Sequence, residues 1–299
     1  LQDLAGQDRA RVPVALLPAG EPTPQALAAL PEVPVDQRIT LHQPDLEHPA
    51  LRAAANDPVP VTDCMVHTID HWSHVLRVNL LALVAHAEGH RRALDASPLL
   101  KLWTGLSLVA KARSLSRWRL AEVVGERGPG CDIHPTATVE ASVLGAGVEV
   151  GPHAVVRGSW VASGAKVQEH ARVNLSVLGE RAVVGRGATS NLNVLMEGAM
   201  LSNGIGHQGC LLGRDAFVAL GVTLFDLSFG GPVRVRHRGE RVSAGTQFLG
   251  SALGHRSRLG PGVRIGYGEA VPNDALLVGD PGSVFRHLPE SLGEGAHAM

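Results

Sequence analysis

The sequence is poor in aromatic residues and in cysteine, and it lacks any long apolar segment. Aromatic side chains make up 3% of the 299 residues, and the three widely spaced cysteines form no C-x-x-C pair: Cys64, Cys131 and Cys210. Such an odd set argues against a disulfide framework or a structural zinc site, and it fits a reducing, cytoplasmic compartment. There is no run of about 18 apolar residues and no signal peptide at the start, so we expect neither a membrane span nor secretion.

An excess of charge and the common nucleotide-binding motifs are also missing. The formal net charge is −1, which leaves no surplus of basic residues for wholesale nucleic-acid binding. Neither G-x-G-x-x-G nor G-x-x-x-x-G-K-S/T occurs in the first 60 residues, which are rich in proline and alanine. We interpret residues 1–60 as a small α/β remnant without a phosphate-binding loop of either type.

What the sequence does have is an aliphatic residue about every six positions from Cys131 onward. The residues that form this repeat are Ile133, Val139, Leu144, Val150, Val156, Val161, Val167, Val173, Leu178 and Val184. Neither the two-residue period of a half-buried strand nor the helical period fits it, whereas a solenoid that turns a corner after each hexad does. The 35 glycines suit tight corners. We predict a mainly β solenoid of about seven coils.

The repeat spans residues 131–288 and is interrupted at two places. Three glycines around His207 interrupt it at 203–209. A segment at 227–247 alternates Val with Arg or His on both sides of R-G-E, as an excursion hairpin does. We expect chemistry at these interruptions rather than in the regular hexads. Residues 289–299 are predicted to form a flexible tail.

Residues 61–130 are predicted to form a helical linker, whose first helix covers residues 62–88. Helical spacing would place three histidines and one aspartate close together: His67, Asp70, His71 and His74. Such a cluster is a candidate metal site, but a polar helix face or an interface ladder of histidines has the same spacing. Because i, i+4 histidine pairs need further ligands to hold a metal, we expect the polar face.

The second helix begins at Ser97-Pro98, a good N-cap and first-turn pair, and continues as a basic amphipathic segment over 98–123. Its basic residues precede the first acidic residue, Glu122: Lys101, Lys111, Arg113, Arg117 and Arg119. Its apolar side comprises Trp103, Leu106, Val109 and Leu120. Such a helix can lie on an anionic membrane surface, but we expect its apolar side to pack on the neighbouring domain, with the basic edge in water.

The hexads resemble the left-handed β-helix of the hexapeptide-repeat transferases. The segment V-P-N-D-A-L-L-V-G-D-P-G-S-V-F-R is similar to the one that closes many acyltransferases of this group, with Asp280 and Gly282 as departures. The helices before the repeat, with I-D-H-W-S-H-V-L-R-V-N-L-L, resemble the layout of sugar-nucleotide pyrophosphorylases of the uridylyltransferase type. The nucleotide signature of that family, G-x-G-T-R-M with a Pro-Lys pair, is missing. Either the chain starts partway through a longer protein, or residues 1–60 are a partial or degenerate nucleotidyltransferase-like segment.

The resemblance implies an acyl-CoA-dependent acyltransferase that acts on a sugar or nucleotide sugar, assembles as a homotrimer and uses a histidine as general base. His207, in the glycine-rich interruption, and His255, near a corner, are the predicted catalytic residues, with His207 expected to point outward; His237 is a lower-ranked candidate for the same base. Arg236, His237 and Arg238 on the hairpin are predicted to bind phosphate groups of CoA or a nucleotide sugar. The resemblance predicts no metal cofactor.

Other interpretations stay open. The carbonic anhydrases with this fold bind zinc through three histidines, two of them spaced H-x-x-x-x-H, and no such pair lies among the solenoid candidates. A chain without its nucleotide motif could also be a truncated or degenerate sugar-nucleotidyltransferase relative. It could equally be a non-catalytic trimeric scaffold or regulatory subunit, because fold alone does not give function.

Overall fold

The chain is mainly β and is built around one left-handed parallel β-helix, which confirms the fold predicted from the hexads. The computed structural model describes residues 38–39, 59–60, 69, 71–95, 98–202 and 206–279. Near the start, β1 (Arg38–Ile39) and β2 (Val59–Pro60) form a small antiparallel pair. The rest of the predicted α/β remnant at 1–60 and the tail at 289–299 lie outside the described residues.

The β-helix is a three-sided prism of short parallel strands, numbered in chain order. The first face contains β3 (Gly125–Arg127), β6 (Ser142–Leu144), β9 (Trp160–Val161), β12 (Val177–Leu178), β15 (Val194–Leu195), β18 (Leu211–Leu212), β23 (Ala252–Leu253) and β26 (Ala270–Val271). The second face contains β4 (Asp132–Ile133), β7 (Glu149–Val150), β10 (Lys166–Val167), β13 (Val183–Val184), β16 (Met200–Leu201), β19 (Phe217–Val218), β24 (Arg258–Leu259) and β27 (Leu276–Leu277). The third face contains β5 (Thr138–Glu140), β8 (Val155–Arg157), β11 (Arg172–Asn174), β14 (Thr189–Asn191) and β17 (His207–Gln208), followed by the pair β20 (Thr223–Leu224) and β25 (Arg264–Ile265).

One coil of the prism takes seventeen residues, because Val150 pairs with Val167, and Val167 with Val184, on the second face. The buried residues of a coil follow one another in steps of six, five and six. The five-residue step lies at the corner between the third and first faces. There the backbone takes a left-handed turn at Gly158 (φ 53°) and at Leu175 (φ 45°). The mixture of six- and five-residue spacings in the sequence therefore follows from the geometry of one coil.

The structure differs from the prediction in the number of coils and at His207. Among the described residues, the first and second faces each hold eight strands, against the about seven coils expected. His207 follows the buried Leu201 by six residues and precedes the buried Leu212 by five, so it takes the inward place of its coil. The predicted interruption of the repeat at His207 is therefore wrong. A search for aliphatic residues misses this position, because a histidine occupies the inward place.

A ladder of buried polar side chains joins the coils at the corner before the first face. Ser142, Ser159, Ser176 and Asn193 stack there one coil apart. The backbone N–H of Ser176 donates to Ser159 Oγ, and that of Asn193 donates to Ser176 Oγ, both at 3.1 Å. The N–H of Cys210 donates to Asn193 Oδ1 at 2.7 Å. Because an unpaired buried N–H is costly, each side chain stabilises the coil above it.

Within the described residues, three helices precede the prism: α1 (Trp72–Asp95), α2 (Pro98–Ala112) and α3 (Arg117–Val123). α1 runs along the first face and buries its outward apolar residues. Near the start of α1, one cluster contains Leu76, Val194, Leu211 and Ala252. Further along the helix, the His86 ring lies 5.4 Å from the Trp160 ring, centroid to centroid. The first face is thus covered by the chain itself.

The apolar side of α2 is not packed in the way that the sequence led us to expect. Trp103 is 71% exposed and Leu106 is 57% exposed. The expectation that this side packs on the neighbouring domain is therefore wrong for these two residues. None of the described helices is both long and apolar enough to cross a membrane.

An insertion leaves the prism after the buried Leu224 and returns before the buried Leu253, at the corner occupied by the polar ladder. It contains the antiparallel hairpin of β21 (Arg234–His237) and β22 (Glu240–Ser243). The buried side of this hairpin packs on the first turn of α1 and on the returning chain, in a cluster of Val233, Val235, Ala244, Trp72 and Leu249. The hairpin is therefore held beside the start of α1.

We predict that Leu178→Ala lowers the free energy of unfolding by about 2–5 kcal/mol, because it leaves a cavity in a column of close-packed side chains. Leu178 is 0% exposed. Urea unfolding measures the change. Arg172→Ala, at an exposed outward position of the neighbouring face, is the control and should stay within about 0.5 kcal/mol of the parent. Equal losses in the two variants would contradict this description of the core.

Candidate functional site

The candidate functional site is an open groove between the start of α1 and the last coils of the first face. Its volume is about 420 Å³. Its lining is mostly apolar, with two histidines and one asparagine among them: Ile69, His71, Trp72, Val75, Met196, Leu211, Gly213, Ala252, Leu253, Gly254, His255, Ala270, Val271 and Asn273. A largely apolar concavity with a few polar groups is the usual form of a small-molecule site.

One wall of the groove is set by the way in which α1 begins. The helix starts at Trp72, so His71 lies just before its first residue. The Ser73 backbone N–H donates to His71 Nδ1 at 3.3 Å, and Ser73 Oγ lies 2.7 Å from the same nitrogen. His71 therefore occupies the N-cap position, where a side-chain acceptor satisfies an amide of the first turn.

The predicted histidine cluster is only partly inside the described residues. His67 and Asp70 lie outside them, while the rings of His71 and His74 are 6.1 Å apart, centroid to centroid. Among the residues that the structure describes, no group of three or more His, Cys, Asp or Glu side chains is placed to hold a metal ion.

His255 lies at the corner after the first face and lines the groove. Its Nδ1 accepts the backbone N–H of Arg214, one coil earlier, at 2.9 Å. Its own backbone N–H donates to Asn273 Oδ1, one coil later, at 2.7 Å. A backbone amide can only donate, so the neutral His255 ring carries its proton on Nε2. This tautomer gives His255 a hydrogen-bond donor, not the general base that the sequence suggested.

The floor of the groove is bare backbone. Gly213 and Gly254 stand one above the other at this corner, and a Cβ on either would collide with main-chain atoms of the next coil. The collision at Gly213 would be with His255, and that at Gly254 with Asn273. These two positions therefore require glycine, because the next coil packs directly against their backbone.

The hairpin supplies positive charge beside the His71 end of the groove. His237 is half-buried and its ring lies 5.7 Å from the His71 ring, edge to face. Arg236 and Arg238 are exposed on either side of it. Among the other hairpin arginines, Arg241 pairs with Glu269 of the prism. Of the three predicted phosphate-binding residues, His237 thus contacts a residue that lines the groove.

His207 lies elsewhere, inside the prism. It is 4% exposed and pairs in register with the buried Ser190 on the third face. Burial lowers the pKa of its imidazole from 6.5 to about 4. Its Nδ1 has no hydrogen-bond partner among the described residues. The expectation that His207 points outward toward a ligand is wrong.

The structure therefore brings His255 and His71 to one groove, places His237 beside His71, and separates His207 from them. Sequence analysis did not assign His71 to this site, nor did it identify Asn273. A strict count of six- and five-residue steps would have placed His207 inward, since it stands six residues after Leu201. No sequence signal could have shown which nitrogen of His255 is engaged, because its partner is a backbone amide in the previous coil.

Comparison with known proteins yields distant likenesses alone. No protein-family model and no curated protein matches the chain. Among solved structures, LpxA from Acinetobacter baumannii is 12% identical, with 53% of this chain and 70% of that chain covered and a TM-score of 0.27. A hexapeptide transferase family protein from Anaplasma phagocytophilum is 18% identical, with 56% and 86% covered and a TM-score of 0.21.

PerB from Caulobacter crescentus, solved in complex with CoA and GDP-perosamine, is also similar. It is 18% identical, with 55% of this chain and 58% of that chain covered and a TM-score of 0.22. The chain thus spans less than two thirds of the length of PerB. Identities and TM-scores this low do not carry an activity over to this chain.

We predict that His207→Leu reduces the loss of stability in acid. Between pH 6.5 and about pH 4 the unfolded chain binds a proton at this imidazole and the folded chain does not. Stability therefore falls as the pH falls through this window, by roughly 3 kcal/mol from this group. Urea unfolding at both ends of the window measures it. The variant should lose less stability than the parent, and an identical loss in both would contradict the prediction.

Proposed function

We propose that the protein transfers an acyl group from acyl-CoA to a sugar or nucleotide sugar in the groove beside α1. The observation that carries the proposal is the position of His255, whose Nε2–H is set as a donor by the Arg214 amide. The groove holds this donor between an apolar wall and a basic hairpin. The substrate class rests on the resemblance of the hexads and of the closing segment to hexapeptide-repeat acyltransferases.

The apolar wall suits the acyl end of a thioester. Leu211 and Ala252 are buried beside α1, and Ala270, which pairs with Ala252, continues the wall in the next coil. An acyl group placed there would have its carbonyl oxygen within reach of the corner. When an oxygen becomes negatively charged in the tetrahedral intermediate, a fixed N–H donor stabilises it more than it stabilises the starting carbonyl. His255 is the candidate for that donor.

The basic hairpin suits the phosphate end of CoA or of a nucleotide sugar. Arg236 and Arg238 are exposed on both sides of His237, and guanidinium groups bind phosphate through paired charge-assisted hydrogen bonds. We therefore assign phosphate binding to these two guanidinium groups. Arg236 and Arg238 thus keep the role predicted from the sequence, whereas His237 takes another.

The proton of the acceptor needs a base other than His255 or His207. His237 is the candidate, because its ring packs against His71 beside the groove. In the proposed step the acceptor oxygen or nitrogen bonds to the thioester carbon, and its proton passes to His237. The carbon–sulfur bond then breaks, and the proton goes on to the CoA thiolate. The products are the acylated sugar and free CoA thiol.

The proposed assembly is a homotrimer. α1 covers the first face, whereas the second and third faces present outward side chains such as Lys166, Val183 and Arg172. Flat faces of this kind can pack against copies of the same chain around a three-fold axis.

A non-catalytic scaffold is the second candidate, and one observation favours it. Both of the histidines predicted to be catalytic have structural roles, since His207 fills the prism and His255 accepts an amide of the neighbouring coil. A scaffold would need the fold and no ligand in the groove. Ligand binding and thiol release separate the two candidates.

We predict that acetyl-CoA raises the melting temperature and that free CoA thiol appears with at least one amino sugar or nucleotide sugar. Differential scanning fluorimetry and a thiol-reactive dye measure the two effects. Arg236→Gln with Arg238→Gln should weaken binding, while Arg258→Gln with Arg264→Gln, outward on the prism, serves as the control. No shift and no thiol over the whole panel would remove the enzyme proposal and leave the scaffold.

We predict that His255→Ala lowers kcat about 10²-fold, the usual effect of losing a donor to an oxyanion. His255→Gln should lose less, because its amide can accept from Arg214 and still donate into the groove. Steady-state thiol release measures both variants, with melting curves as a check on folding. His207→Leu is the matched control and should keep its activity. Loss of activity in the control but not in His255→Ala would reverse the assignment.

A further inference from the structure

The second helix, α2, carries an apolar stripe on its outer side. Leu99, Leu102, Trp103 and Leu106 follow the i, i+3, i+4, i+7 spacing that lines one face of a helix. Their exposed fractions are 71%, 60%, 71% and 57%. Just past the end of the helix, Leu115 is 81% exposed. A run of large apolar side chains this exposed marks an interaction surface.

The opposite side of α2 faces the protein. α2 packs on α1, and its half-buried residues Thr104, Leu108 and Ala112 repeat every fourth position. This inner side has smaller and less apolar residues than the outer stripe. Packing on α1 therefore explains the inner side of the helix and leaves the outer stripe unexplained.

Charge in this part of the chain has one sign. The segment from Pro98 to Ala121 contains five basic residues and no acidic residue. Lys111, Arg113 and Arg119 are exposed. Of these three, only Arg119 has an acidic partner in the described structure, Glu122. Helices that combine a Leu- and Trp-rich face with Lys and Arg lie in the interface of anionic bilayers. Basic residues near such a surface each add to the attraction.

We propose that α2 docks on an anionic phospholipid bilayer through Leu99, Leu102, Trp103 and Leu106. The helix lies in the plane of the bilayer, with the apolar stripe among the acyl chains and the basic residues at the level of the head groups. The exposed Trp103 sits at the boundary, where its apolar ring and its N–H both find suitable surroundings. The inference does not depend on the proposed acyl transfer, because it concerns the other side of the helical region.

Co-sedimentation of the full chain with vesicles tests the proposal. Vesicles of phosphatidylcholine and phosphatidylglycerol in equal parts should bind the protein, and vesicles of phosphatidylcholine alone should bind it at least about tenfold more weakly. Added salt should weaken binding to the anionic vesicles. Failure to bind the anionic vesicles, or equal binding to both kinds, would overturn the proposal.

Two pairs of substitutions locate the surface. Leu102→Ser with Trp103→Ser should reduce vesicle binding at least about tenfold. Lys111→Gln with Arg113→Gln should reduce both the binding and its dependence on salt. Leu276→Ser with Val278→Ser is the matched control, since these residues are 66% and 68% exposed on the last coil. Binding that both α2 pairs leave unchanged would overturn the proposal.

Melting curves and light scattering exclude the other occupants of the stripe. If a second copy covers it, Leu102→Ser with Trp103→Ser lowers the mass of the assembly in the absence of vesicles. If another part of the chain covers it, the same pair lowers the melting temperature as a core substitution does. Either result would overturn the proposal, whereas unchanged mass and melting with lost vesicle binding support it.

Discussion

The rest of the structure depends on the stacking of each coil on the one before it. Equivalent residues stand one coil apart, so Val150, Val167 and Val184 form a continuous column, and Ser176 and Asn193 pair the buried amides between coils. A close-packed column tolerates little change in side-chain volume at any level. Extra residues can therefore leave only at a corner, as the insertion does.

The groove follows from this constraint. A regular prism offers flat faces, and a flat face gives a small molecule little to bind. The insertion and α1 reach the same end of the first face from different parts of the chain, and Trp72 packs between them. The concavity next to His255 exists because these two irregular elements meet there. Its position depends on the stacking register, although its walls come from outside the repeat.

The sequence predicted the fold well because the repeat is local: the six-residue spacing is visible without any knowledge of the tertiary contacts. It predicted the site less well, for two physical reasons. His207 occupies an inward position that aliphatic residues usually fill, so the repeat looked interrupted at this polar residue. His71 reaches the groove because α1, which precedes the prism in the sequence, starts one residue later and packs on the coils of Val194, Leu211 and Ala252. Such contacts are set by tertiary packing, which a spacing pattern does not contain.

The three histidines show why residue type alone is a weak guide to chemistry in a stacked solenoid. Inside the prism, burial keeps His207 neutral and lowers its pKa to about 4. At the corner, the backbone N–H of Arg214 in the previous coil donates to His255 Nδ1, and the ring proton of the neutral imidazole is therefore on Nε2. A polar side chain at a corner is always close to the backbone of the neighbouring coil, so stacking decides which of its atoms remains for a ligand. In the proposed acyl transfer, this arrangement would separate two tasks. A donor at the corner would stabilise the oxyanion, and the proton acceptor would come from an element that is not stacked, such as the hairpin that carries His237.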